Sequence, residues 1–455
     1  MSCIRKMSKR EVPIKKSSLP EIFRSGSFSY YGVLTDLLNA FSFNDKKEGM
    51  ADLLPVNVPA EYTRAENVTH LGVAESIPDS VKFAYGTAGF RNQAEKLTFI
   101  AFRCGYLAAL RARQQNKTIG IMITASHNPD CDNGVKIVDP EGDMLAPEWE
   151  KFATELVNST DEQFPTAVRA LEVQVTIPTN CSDAKVVCAW DTRASGQHLM
   201  EAVRNGTLLV PVAFQHYGVL TTPQLHYIVK CSNVPTFGEA NELGYYVSVT
   251  DAFKKLYTLT SEPKPSNYSN QLILDCANGV GAPKMHLLDR FLNESQLKID
   301  YKNENGILNY NCGADFVKIQ KNRPDQFSGV TVGAKCASFD GDADRLIYFR
   351  LEEGMSIELL DGDKIAVLFA KYFRDQMNEA GLDGQLTFGI VQTAYANGNS
   401  TAYISNELGI KTVIVPTGVK HLHHAASKFD IGIYFEANGH GTVTFGERFE
   451  KLVRK

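Results

Sequence analysis

Residues 118–129 read Thr-Ile-Gly-Ile-Met-Ile-Thr-Ala-Ser-His-Asn-Pro. A short apolar, β-branched run (Thr118–Ile123) stops abruptly and gives way to a loop of turn formers. The same pattern recurs six more times. Lys185–Ala189 leads into Asp191-Thr-Arg-Ala-Ser-Gly, Gln271–Leu274 into Asp275-Cys-Ala-Asn-Gly, and Ala337–Phe339 into Asp340-Gly-Asp-Ala-Asp-Arg. Leu386–Val391 then leads into Thr393-Ala-Tyr-Ala-Asn-Gly, Lys411–Val415 into Thr417-Gly-Val-Lys, and Ile431–Phe435 into Glu436-Ala-Asn-Gly-His-Gly. Strands of four to six residues separated by helical stretches specify an α/β protein, here three consecutive α/β domains with mixed sheets. In such sheets ligands gather where loops leave the carboxyl ends of strands, so these loops are the places to look for chemistry.

Outward from the strands, Ala94 to Gln114 carries Leu97, Ile100, Ala101, Cys104, Leu107, Ala108 and Arg111 at helical spacing. That predicts an amphipathic helix with a polar outer face. Lys364–Ala380 predicts another, with Ile365, Leu368, Phe369 and Tyr372 inward and Gly381 as its stop. Residues 1–80 lack periodicity and read as a loosely ordered lead-in. Polar, Pro-containing stretches near Ser261–Asn270 and Leu351–Ser356 read as junctions. The expected domains are therefore 81–265, 266–352 and 353–455. No short repeat occurs, which excludes a solenoid.

The 455 residues are 44% hydrophobic and 22% charged, a globular balance that excludes a disordered or fibrous chain. Lys and Arg number 47 against 52 Asp and Glu, a net charge of −5, which argues against a nucleic-acid binder. No apolar stretch is long enough for a membrane span, and the basic N-terminus has no apolar core behind it, so the expectation is a cytoplasmic protein without a membrane partner. The nine cysteines are scattered, with no Cys-x-x-Cys pair, so neither a zinc site nor a disulfide framework is indicated.

Asp340-Gly-Asp-Ala-Asp-Arg345 is the sharpest chemical signal. Asp340, Asp342 and Asp344 stand at i, i+2 and i+4 with small residues between them, three hard oxygen donors suited to Mg²⁺. A solvated polar turn would gain little from three mutually repelling carboxylates. The twelve-residue EF-hand pattern is absent. Ser126, at a strand-to-loop corner, is placed to act as a nucleophile or phosphate carrier, with His127 beside it to move a proton. The same residues could also form an ordinary turn. Tyr85-Gly-Thr-Ala-Gly-Phe-Arg91 offers backbone N–H groups and the Arg91 fork to an anion. Lys136, ten residues beyond Ser126, could return to the same pocket. Glu436 and Asn438 on a glycine-bounded loop suit paired sugar hydroxyls, and Lys420 offers a cation to a phosphate. The crowded His421, His423 and His424 do not have the spacing of a metal cluster.

Taken in this order, from Tyr85 to Thr442, these motifs closely resemble the α-D-phosphohexomutase superfamily, in the branch that handles N-acetylglucosamine. The resemblance implies that Ser126 is phosphorylated and donates and recovers the phosphoryl group. It implies that one Mg²⁺ is held by Asp340, Asp342, Asp344 and Ser126, with Arg345 close to the phosphoserine. It assigns acid/base steps to His127 and Lys136, substrate contacts to Arg91, Lys420 and His440, and sugar specificity to Glu436 and Asn438. The implied reaction interconverts N-acetylglucosamine 6-phosphate and 1-phosphate through a hexose bisphosphate that also serves as primer, in UDP-N-acetylglucosamine biosynthesis. The implied partner is thus a small sugar phosphate.

Members of the superfamily continue into a fourth domain, whose Ser-Gly-Thr loop and Arg grip the remote phosphate. No such loop occurs here, so the expectation is a chain without that domain, weakly active or inactive, whose Mg²⁺ loop still binds. Three rival readings share parts of the pattern. A serine-dependent metal phosphatase would release inorganic phosphate. A nucleotide-sugar glycosyltransferase would use Asp-x-Asp but not Ser126. A non-catalytic form would bind sugar phosphate or a partner without turnover.

Overall fold

All seven apolar runs form strands, and each of the three groups they fall into builds one mixed sheet. The computed structural model describes residues 56–259, 268–354 and 356–453. The first sheet comprises β1 (Phe90–Gln93), β2 (Thr118–Ile123), β3 (Asp132–Val138), β4 (Lys185–Trp190) and β5 (Ala213–Val219), in the order β1-β3-β2-β4-β5. β2, β4 and β5 are parallel, while β3 runs antiparallel to both β1 and β2. The second sheet comprises β6 (Gln271–Asp275), β7 (Lys298–Lys302), β8 (Lys335–Phe339), β9 (Leu346–Leu351) and β10 (Ile357–Leu360), ordered β10-β9-β8-β6-β7. The third comprises β11 (Phe388–Thr393), β12 (Lys411–Val415), β13 (Ile431–Phe435) and β14 (Gly441–Phe445), ordered β12-β11-β13-β14. β10 pairs with β9, so the junction expected near residue 353 falls inside the second sheet. The junction near residue 265 lies largely outside the described residues.

Helices cover both faces of the first sheet, as buried β-branched strands require. α1 (Thr98–Gln115), α2 (Pro147–Asn158) and α3 (Gly196–Thr207) lie over one face, and α4 (Thr222–Asn233) over the other. The polar outer face expected for α1 does not meet water, since every residue from Thr98 to Ala112 is buried. Its arginines are satisfied internally: Arg111 forks onto Asp139 at 2.6 and 3.0 Å, and Arg103 reaches Asp161 at 2.8 Å. Buried guanidinium groups of this kind persist only when paired.

α5 (Glu242–Leu259) follows the first sheet, and α6 (Gly362–Glu379) leads into the third. The inward stripe of α6 is Ile365, Ala366, Ala370 and Met377. Leu368 and Tyr372, expected inside, are 60% and 50% exposed, and Phe369 is 39% exposed, because the stripe facing the sheet is set by the small Ala366 and Ala370. α7 (Val419–Ala426) covers the opposite face, where Met144 of the first domain also packs.

Of the lead-in, residues 1–55 lie outside the described residues. Residues 56–80 are not loose. They hold a turn of 3₁₀-helix (Ala60–Tyr62) and a two-stranded ribbon pairing Asn67–Val68 with Ala74–Glu75. Arg64 anchors them, fully buried, donating to the carbonyls of Val157, Pro78 and Val81 at 2.8–3.1 Å. Among the described residues no helix is long and apolar enough to cross a membrane.

Candidate active site

The loops after β2, β8 and β13 leave the carboxyl ends of strands that have neighbours on both sides. Ser126, on the first of them, is buried with φ +51°, a left-handed conformation uncommon for a side chain of any size. Its hydroxyl donates to Asp340 Oδ2 at 2.5 Å, and its Oγ lies 3.4 Å from His127 Nδ1. The approach depends on Gly341, where a Cβ would sit 2.6 Å from the Ser126 carbonyl oxygen. Asn309 bridges the same two loops, donating to the carbonyls of Ser126 at 2.9 Å and Asn128 at 3.1 Å.

Asp340, Asp342 and Asp344 each bring a carboxylate oxygen to one place, all within 4.8 Å of one another. The turn closes on Asp340 Oδ1, which accepts from the backbone N–H of Asp344 at 3.2 Å and of Arg345 at 3.1 Å, while Ala343 takes φ +58°. Thr222, at the start of α4, donates to Asp342 Oδ2 at 2.6 Å. Two further oxygens, Asp342 Oδ1 and Asp344 Oδ1, are buried with no hydrogen-bond partner. Burial, together with Asp342 and Asp344, pushes the Asp340 carboxyl well above its usual range. Burial also opposes the charge of Asp344, but His440, Lys136 and Arg345 outweigh it and hold that group below the usual carboxylate range. Two orphaned hard oxygens beside a carboxylate whose charge is disfavoured are what a bound divalent cation would relieve, so the donor set fits Mg²⁺.

Basic side chains ring this cluster. Arg345 Nη1 donates to Asp315 Oδ1 at 2.7 Å, and its Nε lies 3.6 Å from Asp340 Oδ2. His127 Nε2 lies 3.5 Å from the other oxygen of Asp315. Burial and the Arg345 charge push His127 down to about 4, so the ring is neutral at pH 7. Lys136, on β3, is buried and faces the Asp344 and Asp342 charges; burial lowers its ammonium below the ordinary lysine range. Arg91, on β1, has a buried Nε without a partner.

The third loop is a tight turn. Glu436 N–H donates to the His440 carbonyl at 2.8 Å, and His440 N–H donates to Asn438 Oδ1 at 3.0 Å. Gly439, at φ +91°, presses on the Leu346 carbonyl, where a Cβ would sit 2.3 Å away. This brings His440 Nδ1 to 3.9 Å from Asp344 Oδ2 and the sugar-type loop to the acidic cluster. Lys420 is engaged elsewhere, donating to Glu150 Oε2 of α2 at 2.5 Å. His423 lies 3.3 Å from Asp143.

Several participants were not singled out from the sequence. Thr222 had a usable signal, because Thr221-Thr-Pro-Gln224 is a capping-box pattern and the box forms, marking a helix start. Asn309 and Asp315 carried none.

Three family models match successive parts of the chain. A model described as phosphoacetylglucosamine mutase AMG1, domain III, matches residues 361–455. Its domain II counterpart matches 235–347, and a model of the phosphoglucomutase/phosphomannomutase alpha/beta/alpha domain I matches 104–164. The phosphoacetylglucosamine mutase of Sus scrofa is 44% identical over 391 residues, covering 85% of this chain and 71% of that protein. The structure of Aspergillus fumigatus N-acetylphosphoglucosamine mutase in complex with GlcNAc-6P and magnesium superposes with a TM-score of 0.77 at 42% identity, covering 88% of this chain and 74% of that one. A serine-to-alanine variant of the same enzyme, in complex with glucose 1,6-bisphosphate, superposes with a TM-score of 0.79 at the same identity and coverage.

Proposed function

The chain belongs to the phosphoacetylglucosamine mutase family, and from that premise we propose that it interconverts N-acetylglucosamine 6-phosphate and 1-phosphate through a phosphoserine at Ser126. The observation that carries this reading is the 2.5 Å contact between Ser126 Oγ and Asp340, which joins a nucleophile loop to an acidic cluster with two unpartnered oxygens. The relative bound to GlcNAc-6P and magnesium supports the substrate class and the ion. The relative bound to glucose 1,6-bisphosphate supports a bisphosphate as primer and intermediate.

In this reading phospho-Ser126 faces the anomeric hydroxyl of the 6-phosphate. The P–Oγ bond breaks as a P–O1 bond forms, the hydroxyl proton passes to a neighbouring base, and Ser126 Oγ takes up a proton. The sugar 1,6-bisphosphate then turns over in the cleft. Ser126 Oγ then gives up its proton to a neighbouring base as it attacks the 6-phosphoryl group; the P–O6 bond breaks, O6 takes up a proton, and the sugar 1-phosphate leaves with the phosphoserine restored. His127, neutral and 3.4 Å from Oγ, and Lys136, with its lowered ammonium, are the groups assigned to these proton transfers. Mg²⁺, held by Asp340, Asp342, Asp344 and the Ser126 phosphoryl oxygen, would neutralise charge on the moving group. Arg345 supplies a fixed cation on the same side. Arg91 and Lys420 are assigned to the substrate phosphate, and Glu436, Asn438 and His440 to the sugar. Positioning and electrostatics supply the catalysis.

The product feeds UDP-N-acetylglucosamine biosynthesis in the cytoplasm in this reading.

Phosphorus NMR of the protein with N-acetylglucosamine 6-phosphate, Mg²⁺ and a hexose bisphosphate primer tests the proposal. A growing 1-phosphate signal, absent from Ser126→Ala, is the expected result. Release of inorganic phosphate instead would identify a phosphatase and overturn it.

A further inference from the structure

The loop Asp191-Thr-Arg-Ala-Ser-Gly leaves β4 beside the Ser126 loop, and none of it enters the steps above. Asp191 and Arg193 are wholly buried and paired, Arg193 Nε donating to Asp191 Oδ2 at 3.1 Å. A closed circuit runs from this pair around the peptide of Ser126. On one side, Ser126 N–H donates to Thr124 Oγ1 at 2.9 Å, and that hydroxyl donates to Asp191 Oδ2 at 2.8 Å. On the other, Arg193 Nη2 donates to the Ser126 carbonyl at 3.0 Å. The same guanidinium donates to the carbonyls of Asn128 at 3.0 Å and Pro129 at 2.7 Å. Asp191 Oδ1 also accepts the backbone N–H of Arg193 at 3.0 Å, fixing the turn that carries it. Both polar groups of the Ser126 backbone therefore end on one buried ion pair.

A serine at φ +51° persists only where its surroundings over-determine it. Three carbonyls converging on one side chain need the planar, many-donor fork of arginine; an ammonium has neither its span nor its geometry. A buried ion pair yields little net stability over apolar packing, so its worth here lies in the conformation it enforces.

We propose that Asp191 and Arg193 are positioning residues that hold the Ser126 hydroxyl against Asp340 and set its line of approach for phosphoryl transfer. The inference rests on the reaction proposed for Ser126. Neither side chain is exposed, so both act through the loop rather than on the substrate.

Arg193→Lys keeps the charge and removes the fork, and Thr124→Val removes the hydroxyl link with little change of shape. Each is expected to lower kcat by about 10- to 100-fold while leaving KM for the sugar phosphate within about twofold. A merely structural pair would instead lower the melting temperature and the folded fraction, with kcat per folded molecule unchanged, and that result would overturn the proposal. Crystal structures of the wild type and Arg193→Lys give a readout independent of turnover. Ser126 is expected to leave the left-handed region and its Oγ to part from Asp340, whereas an unmoved loop overturns the positioning role. If the wild type itself shows no turnover, the reaction proposed for Ser126 fails, and the crystallographic comparison still decides the role of Arg193.

Discussion

The hydroxyl of Ser126, from the first sheet, lies 2.5 Å from Oδ2 of Asp340, from the second. The two domains meet at the atoms to which the proposed chemistry is assigned. Asp340 is fully buried and its charge is disfavoured by burial and by Asp342 and Asp344, so the cluster carries a standing electrostatic cost that a divalent cation would remove.

Removing one of these charges separates metal binding from stability. Asp342→Asn is expected to weaken Mg²⁺ binding by at least about tenfold, read by calorimetry. Without metal its melting temperature should stay level or rise, because like-charge repulsion is relieved. Unchanged Mg²⁺ affinity would remove the triad from consideration as the metal site.

The approach of the two loops depends on the missing side chain at Gly341. In Gly341→Ala the new Cβ meets the Ser126 carbonyl at 2.6 Å, and backbone must give way. We expect a loss of roughly 1–3 kcal/mol of stability and about 10- to 100-fold in turnover. Gly329→Ala, with nothing within 4 Å of its Cβ, is the neutral control. Equal behaviour of the two variants in turnover assays would mean that the contact does not matter for transfer.

The seven strands and the three loops of the candidate site could be read from the sequence, because β-branched runs bury on both faces and closely spaced carboxylates have few structural uses. β3 could not: Asp132-Asn-Gly134 and Lys136 break its apolar run, yet the strand lies between β1 and β2 and buries that lysine. The polar face expected of α1 failed for a related reason, since Arg103 and Arg111 find their carboxylates on distant segments. Thr222 reaches Asp342 from 120 residues away and Asn309 reaches Ser126 from 183, and spacing along the chain carries no trace of such partners.

Lys420 meets Glu150 at 2.5 Å, with the two side chains only 16% and 11% exposed. A lysine assigned to the substrate phosphate is thus held by a carboxylate of the first domain. Glu150→Gln keeps an acceptor and removes the competing charge. If Lys420 serves the substrate, KM for the sugar phosphate should fall by about three- to tenfold, roughly 1 kcal/mol of binding. If the pair only joins the two domains, KM will stay constant while the melting temperature drops, because a buried charge has lost its partner. Steady-state kinetics and thermal melts on the same samples decide between these outcomes.

His226, on α4, sets an acid limit on the fold. Its Nδ1 is 2.7 Å from the Gly142 carbonyl, an acceptor only, so Nδ1 carries the proton and donates. Nε2 is buried with no partner. Burial and the nearby Lys136 charge push this imidazole down to about 3. Between that value and about 6.5 the unfolded chain binds a proton at this position and the folded chain does not, so stability falls as the pH falls through this window. From pH 7 to pH 5 the loss from this one group is about 2 kcal/mol. His226→Asn retains a donor for Gly142 and removes the titration. Urea unfolding at the two pH values should show the wild type losing about 2 kcal/mol more than the variant. Equal losses would mean that His226 accepts its proton within the fold, where Lys136 and the Asp344 carboxylate are close enough to bear on its charge.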